Sequence, residues 1–111
     1  MSFFRELVVK TLTRSLKWPQ VRIKHLKNNP SCAACGRTDG LEVHHIQDFS
    51  ENPDLELDFS NLITLCDKGT KCHFMFGHLG NWKSINPDVI EDSAWFLTKV
   101  KNRRKWLFTF C

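Results

Sequence analysis

The sequence predicts a small α+β domain, with two short strands and a cysteine knuckle at its centre and helices at both ends. Three observations carry that expectation. Two β-branched, apolar runs at 41–46 and 61–66 are separated by a polar, acidic stretch containing Pro53. Two cysteine pairs, Cys32/Cys35 and Cys66/Cys72, abut those runs. The segments outside them, 3–28 and 88–105, combine helix-compatible apolar spacing with most of the basic side chains. A chain of 111 residues has room for one modest core. Residues 1–111 are therefore read as one domain, with its core at about 30–85 and helical basic arms at 3–28 and 88–105.

Taken in order, Phe3, Phe4, Leu7, Val8 and Leu12 make 3–13 a helix. Trp18-Pro19 opens a second one, because proline suits the first helical position, and Asn28-Asn29-Pro30 closes it. Its apolar pattern is thin (Val21, Ile23, Leu26), and His25 reads as an ordinary helix residue. Cys32-Ala33-Ala34-Cys35-Gly36 is a tight knuckle. Val43 and Ile46 mark a strand over 41–46, residues 47–60 form a loop, and 61–66 return beside the first strand. Residues 72–78 start a helix that Gly77 and Gly80 cut short. Val89, Ile90, Ala94, Trp95, Leu97 and Val100 supply the apolar surface of a helix over 88–105, and the apolar tail 106–110 docks. Trp18, Trp82, Trp95, Trp106 and nine phenylalanines offer surface for base stacking. In so small a domain they are expected to build the core around the knuckle instead.

Composition excludes several classes. Hydrophobic residues at 41% and charged residues at 25% rule out wholesale disorder. No apolar run approaches the roughly 20 residues of a membrane span. The opening MSFFRELVVK carries Arg5, Glu6 and Lys10, unlike a signal peptide, so a cytoplasmic location is expected. In that compartment five cysteines serve as ligands or free thiols rather than as a disulfide framework. The net charge of +4 is unevenly spread. Residues 1–40 hold eight basic side chains against two acids (+6), residues 41–92 hold three against ten (−7), and residues 93–111 hold five against none (+5). Two basic arms flank an acidic centre, and every histidine but His25 lies in that centre. An acidic centre repels phosphate unless cations sit in it.

Two constellations point to such cations. Cys32 and Cys35, three positions apart on a tight turn freed by Gly36, can occupy adjacent corners of a tetrahedron. Cys66 and Cys72 complete a closed four-thiolate set, structural zinc by ligand type. Such a clip closes a long loop and stabilises a small fold through the unfolded chain. The alternatives are four cysteines used as small apolar side chains, or a redox pair. Cys111 is left as a free thiol. The second constellation is His44-His45, Asn61, His73 and His78. Neighbours on a strand point to opposite faces, so His44 and His45 divide roles, one holding a cation and the other meeting the substrate.

In order, Cys32-Ala-Ala-Cys35-Gly36, Leu-Glu-Val-His44-His45-Ile46, Asn61-Leu-Ile-Thr-Leu-Cys66 and Cys72-His73 resemble the HNH endonucleases with a four-cysteine zinc site, over about residues 15–85. The resemblance implies a ββα-metal core gripping one divalent cation (Mg²⁺, Mn²⁺, Ni²⁺ or Zn²⁺) and hydrolysis of DNA phosphodiester bonds. It implies His44, His73 and His78 as ligands of the catalytic metal and His45 as the general base. Asn61 then ties down the loop behind the base. An imidazole suits the base role because its unperturbed pKa, about 6.5, lies near working pH. Two features depart from the family pattern: five residues rather than two separate Cys66 and Cys72, and His73 and His78 are five apart rather than four. On an ideal α-helix five positions turn a side chain about 140° away, so His78 joins the set only if the backbone at Gly77 leaves that helix.

One metal site implies one strand cut per event, so double-strand cutting needs a dimer or rebinding. DNA would be held by Arg14, Lys17, Arg22, Lys24 and Lys27 on one arm and Lys99, Lys101, Arg103, Arg104 and Lys105 on the other. These contacts give affinity and salt dependence but little sequence information, so sequence targeting would need a partner protein. A phage or bacterial setting (genome packaging, a mobile element, restriction, repair) fits such a domain. The rival reading is a non-catalytic zinc-containing nucleic-acid-binding module, which has no need of Asn61 or His73.

Overall fold

A computed structural model describes residues 15–110, with side chains through 103. The helix expected over 3–13, Arg14, the side chains of Arg104 and Lys105, the docking of the 106–110 tail and Cys111 lie outside the described residues.

Helix α1 spans Trp18–Asn28, with Pro19 in its first turn, where a missing N–H costs nothing. It ends where Asn29 doubles back on His25 O through its backbone N–H (2.8 Å) and its side-chain Nδ2 (3.1 Å), ahead of Pro30. Strands β1 (Leu41–His45) and β2 (Leu62–Cys66) pair antiparallel with Leu41 opposite Cys66, Val43 opposite Thr64 and His45 opposite Leu62. All five residues of β2 are buried, so both faces of that strand are covered. The loop between the strands contains two single 3₁₀ turns, Pro53–Leu55 and Phe59–Asn61.

The core gathers around the cysteines. Cys32, Ala34, Ile63, Leu65, Cys66, Cys72 and Val89 form it, with Phe76 and Phe96 packed against it. The Ala33 N–H donates to Thr64 O at 2.9 Å and pins the knuckle to β2. After β2 comes a single turn of π-helix, His73–Gly77, rather than an α-helix. Helix α2, Val89–Phe110, runs five residues past the expected end, since neither glycine nor proline interrupts 89–110. It packs through Val89, Ser93, Phe96, Leu97 and Val100, whereas Ile90 and Trp95 are exposed. The expectation that tryptophans fill the core fails for Trp82 and Trp95, which are 59% and 61% exposed. The thiols and short aliphatic side chains already fill the space around the knuckle. Among the described residues, no helix is long and apolar enough to cross a membrane.

Candidate metal centre and cleft

The two cysteine pairs meet as one cluster, with all four Sγ atoms within 4.8 Å of one another. Each pair is shaped by its own turn. The Cys35 N–H donates to Cys32 Sγ and the Cys72 N–H to Cys66 Sγ, both at 3.5 Å. Gly36 takes φ +81°, which a side chain would resist. The five-residue spacing that departs from the family pattern is absorbed by a turn in which Gly69 (φ +60°) and Lys71 (φ +51°) fold left-handed and return Cys72 to the cluster. Cys35 and Cys66 Sγ lie 3.6 Å apart, close to the edge of about 3.8 Å that four sulfurs define around zinc at about 2.3 Å. A hydrogen bond from the Cys72 thiol holds Cys32 down to about 4, and the same pairing pushes Cys72 up. Burial raises Cys66. Thiols so crowded share protons, and a metal takes the protons' place.

His44, His73 and His78 also converge, each offering a ring nitrogen within 4.8 Å of the others. Their ring centroids form a near-equilateral triangle with sides of 5.0, 4.9 and 4.9 Å. The π-turn explains why His78 belongs. Its wider winding, with i→i+5 bonding, brings residues five apart back onto one face, and His73 Nε2 and His78 Nε2 stand 3.3 Å apart. Gly77 is needed for close approach, since a Cβ there would lie 3.0 Å from the His44 ring.

The tautomers of this cluster follow from its outer partners. His78 Nδ1–H donates to Ser84 O at 2.8 Å, and His73 Nδ1–H donates to the Asp67 carboxylate at 3.0 Å. In their neutral forms both rings then present a lone pair at Nε2, and two lone pairs facing one another at 3.3 Å call for a shared proton or a metal ion between them. That distance matches the edge of about 3.3 Å expected for two imidazoles on a tetrahedral ion bound at about 2.0–2.1 Å. His44 Nε2 is buried with no hydrogen-bond partner. Burial, reinforced by His73, His78 and His45, pushes the His44 pKa down to about 3, so the ring is neutral and available as a ligand. Burial lowers His78 as well. The donor set therefore fits a divalent cation, and Asp67 gives His73 the carboxylate partner that metal-bound imidazoles commonly have.

His45 follows His44 on β1, and its Nε2–H donates to Glu56 O at 2.9 Å. A carbonyl can only accept, so in the neutral ring Nδ1 is the basic nitrogen. Asn61 is buried and fully used. Its Oδ1 accepts from Gln47 N at 2.8 Å, and its Nδ2 donates to Gln47 O and Leu55 O at 3.2 and 3.3 Å. Its carbonyl accepts from Ile46 N at 2.8 Å. It thus clamps both sides of the loop whose Glu56 carbonyl holds His45. The three clustered histidines and His45 line one cleft of about 370 Å³ together with Trp18, Arg22, Asp48 and Trp82.

The basic residues are less concentrated. Lys17, Lys24 and Lys27 on α1 are exposed, as are Lys99, Lys101 and Arg103 on α2. Arg22 reaches the cleft, where it pairs with Glu42 at 3.1 Å. None of Lys99, Lys101 and Arg103 lines that cleft. Sequence reasoning passes over Asp67, Ser84, Glu56 and Asn86. The buried Asn86 receives the backbone that the π-turn leaves unpaired: its Nδ2 donates to Phe76 O (2.9 Å) and its N–H to Gly77 O (3.0 Å). The only signal for it is the turn-forming Asn86-Pro87-Asp88.

Two antiparallel strands and a helical turn around a histidine cluster whose donors fit a cation, backed by four thiols, are consistent with a ββα-metal core. Residues 32–75 match the family model described as HNH endonuclease. The matched residues include both cysteine pairs, His44, His45, Asn61 and His73, and stop short of His78. The match places the chain among metal-binding domains of nuclease or nucleic-acid-related function. No curated protein and no solved structure matches it significantly.

Proposed function

We propose that the protein is a metal-dependent endonuclease that hydrolyses DNA phosphodiester bonds. The observation that carries this reading is the pair of Nε2 lone pairs at 3.3 Å, on tautomers set by Asp67 and Ser84 O, in the same cleft as His45. Zinc in the cysteine cluster holds the fold, and a second divalent cation is held by His44, His73 and His78. Bound there, that cation supplies positive charge for the scissile phosphate and the departing oxygen.

His45 takes the proton from the attacking water at Nδ1. Its Nε2–H remains on Glu56 O, which fixes the ring in the tautomer that can accept and steadies the imidazolium that forms. Asn61 acts one step back, keeping the 47–56 loop and hence that carbonyl in place. Lys17, Lys24 and Lys27, with the basic residues of α2, hold phosphates away from the reacting bond. One cation site gives one strand cut per encounter, so a nick is the elementary product.

His45→Ala is expected to lower nicking of supercoiled plasmid by about 10²–10⁴-fold, with zinc content and circular dichroism unchanged. Undiminished nicking by that variant would remove His45 from the base role. DNA binding without nicking under Mg²⁺, Mn²⁺ and Ni²⁺ alike would instead make the domain a non-catalytic zinc module.

A further inference from the structure

Beside the histidine cleft lies a second one of about 410 Å³, lined by Glu42, Asp67, Lys71, His73, Phe74 and Trp82. Glu42, His73 and Trp82 line both, so the two form one trough with a cluster histidine at the seam. Trp82 is 59% exposed, yet its indole is braced by three rings: Phe74 at 4.8 Å, His78 at 4.9 Å and His73 at 5.4 Å. An exposed indole held on three sides is a rigid platform, with little conformational freedom left to lose on binding. The polar lining is largely committed. Glu42 pairs with Arg22, and Asp67 accepts from His73. Lys71, exposed on a turn closed by its N–H to Lys68 O, is the cation at the rim.

We propose that this second cleft takes a nucleobase adjacent to the scissile phosphate, stacked on Trp82, with Lys71 against the neighbouring phosphate. The preferred substrate is then DNA with unpaired bases at the cut, such as a gap or bulge, rather than an intact duplex. This inference rests on the reading of the histidine cleft as the cutting site. In a paired duplex each base face is covered by its neighbours, so only an unstacked base offers a π-face to the indole. Glu42 Oε1 and Asp67 Oδ1 are each taken by a neighbour, so the indole face is the principal contact this cleft offers a base. A face contact of this kind selects by strand state more than by sequence.

The test is binding of gapped and fully paired duplexes of one sequence, by fluorescence anisotropy without added divalent cation, so that nothing is cut. The wild-type chain is expected to bind the gapped duplex at least about tenfold more tightly. Trp82→Ala should weaken gapped-duplex binding by the full factor of the wild-type preference, about tenfold or more, change paired-duplex binding less than about twofold, and so erase the preference. Trp82→Phe, which keeps a ring, should retain most of it. Trp82→Leu, an apolar filler without a ring, repeats the contrast should alanine disturb His73 or His78. Equal affinity of the wild type for both duplexes, or a preference that survives Trp82→Leu, overturns the proposal. A gapped-duplex preference without cleavage under any cation would keep the stacking cleft and overturn the nuclease reading. Cleavage of paired DNA with no preference dependent on Trp82 would do the reverse.

Discussion

The cysteine and histidine clusters are built from neighbouring residues yet are opposite in kind. Cys66 precedes Asp67 and Cys72 precedes His73, so one short turn sends thiols inward and the histidine with its carboxylate partner outward. Cys32, Cys66 and Cys72 are at most 1% exposed and sit in the core. His44 is buried beneath, while His73 and His78 are half-buried and face a cleft. Four ligands close a coordination sphere, whereas three leave a side for solvent or substrate. The difference teaches that a closed thiol cluster and an open histidine cluster are made by the same segment. A change aimed at either should separate them, unless it unfolds the chain.

The largest effect is expected from the closed side. Cys72→Ala removes a core thiol from the proposed zinc set, a type of site whose metal contributes about 10–16 kcal/mol to folding, comparable with the roughly 5–15 kcal/mol total stability of ordinary domains. The variant should lack zinc and show an unfolded circular-dichroism spectrum. A folded Cys72→Ala chain with near-normal melting would mean that the thiols serve as small apolar side chains.

On the open side, Asp67→Asn weakens the carboxylate partner of His73, and Gly77→Ala presses a methyl against the His44 ring. Each should lower affinity for the exchangeable cation by about 10–100-fold, measured by calorimetric titration, with the cysteine-bound zinc retained. Loss of zinc in parallel would show that the clusters are not separable. Asn61→Ala should destabilise by about 1–3 kcal/mol for each buried loop group it orphans, read from urea unfolding. Nicking should fall further than that stability loss explains, because the carbonyl on His45 is released with the loop. Smallest is the effect of the arms. Replacing Lys17, Lys24 and Lys27 with Gln should flatten the dependence of log affinity on log salt by about 0.9 for each phosphate no longer neutralised, leaving cation binding unchanged.

Much of this is legible in the chain. The strands are marked by β-branched runs and appear at Leu41–His45 and Leu62–Cys66. Ligand type alone brings the four cysteines together. The position of His78 is not legible, because the 3.6-residue period turns it away from His73. The period fails here since the chain inserts a π-turn, whose loose carbonyls are taken up by Asn86, fourteen residues past Cys72 in sequence. Gly77, a helix breaker by residue type, acts instead by letting the His44 ring approach. The tryptophans mislead for a similar reason. Hydrophobicity places Trp82 in the core, but His73, His78 and Phe74 hold it at the rim of the cleft. Charge counting likewise treats Arg22 as a free cation, whereas the fold pairs it with Glu42.

The division between a closed and an open site is tested most directly by selective metal removal. Chelation mild enough to leave one zinc per chain, verified by metal analysis, should abolish plasmid nicking without altering the circular-dichroism spectrum, and added Mg²⁺, Mn²⁺ or Ni²⁺ should restore it. Full nicking by the chain that retains only that zinc, or no nicking after any cation is returned, would contradict it.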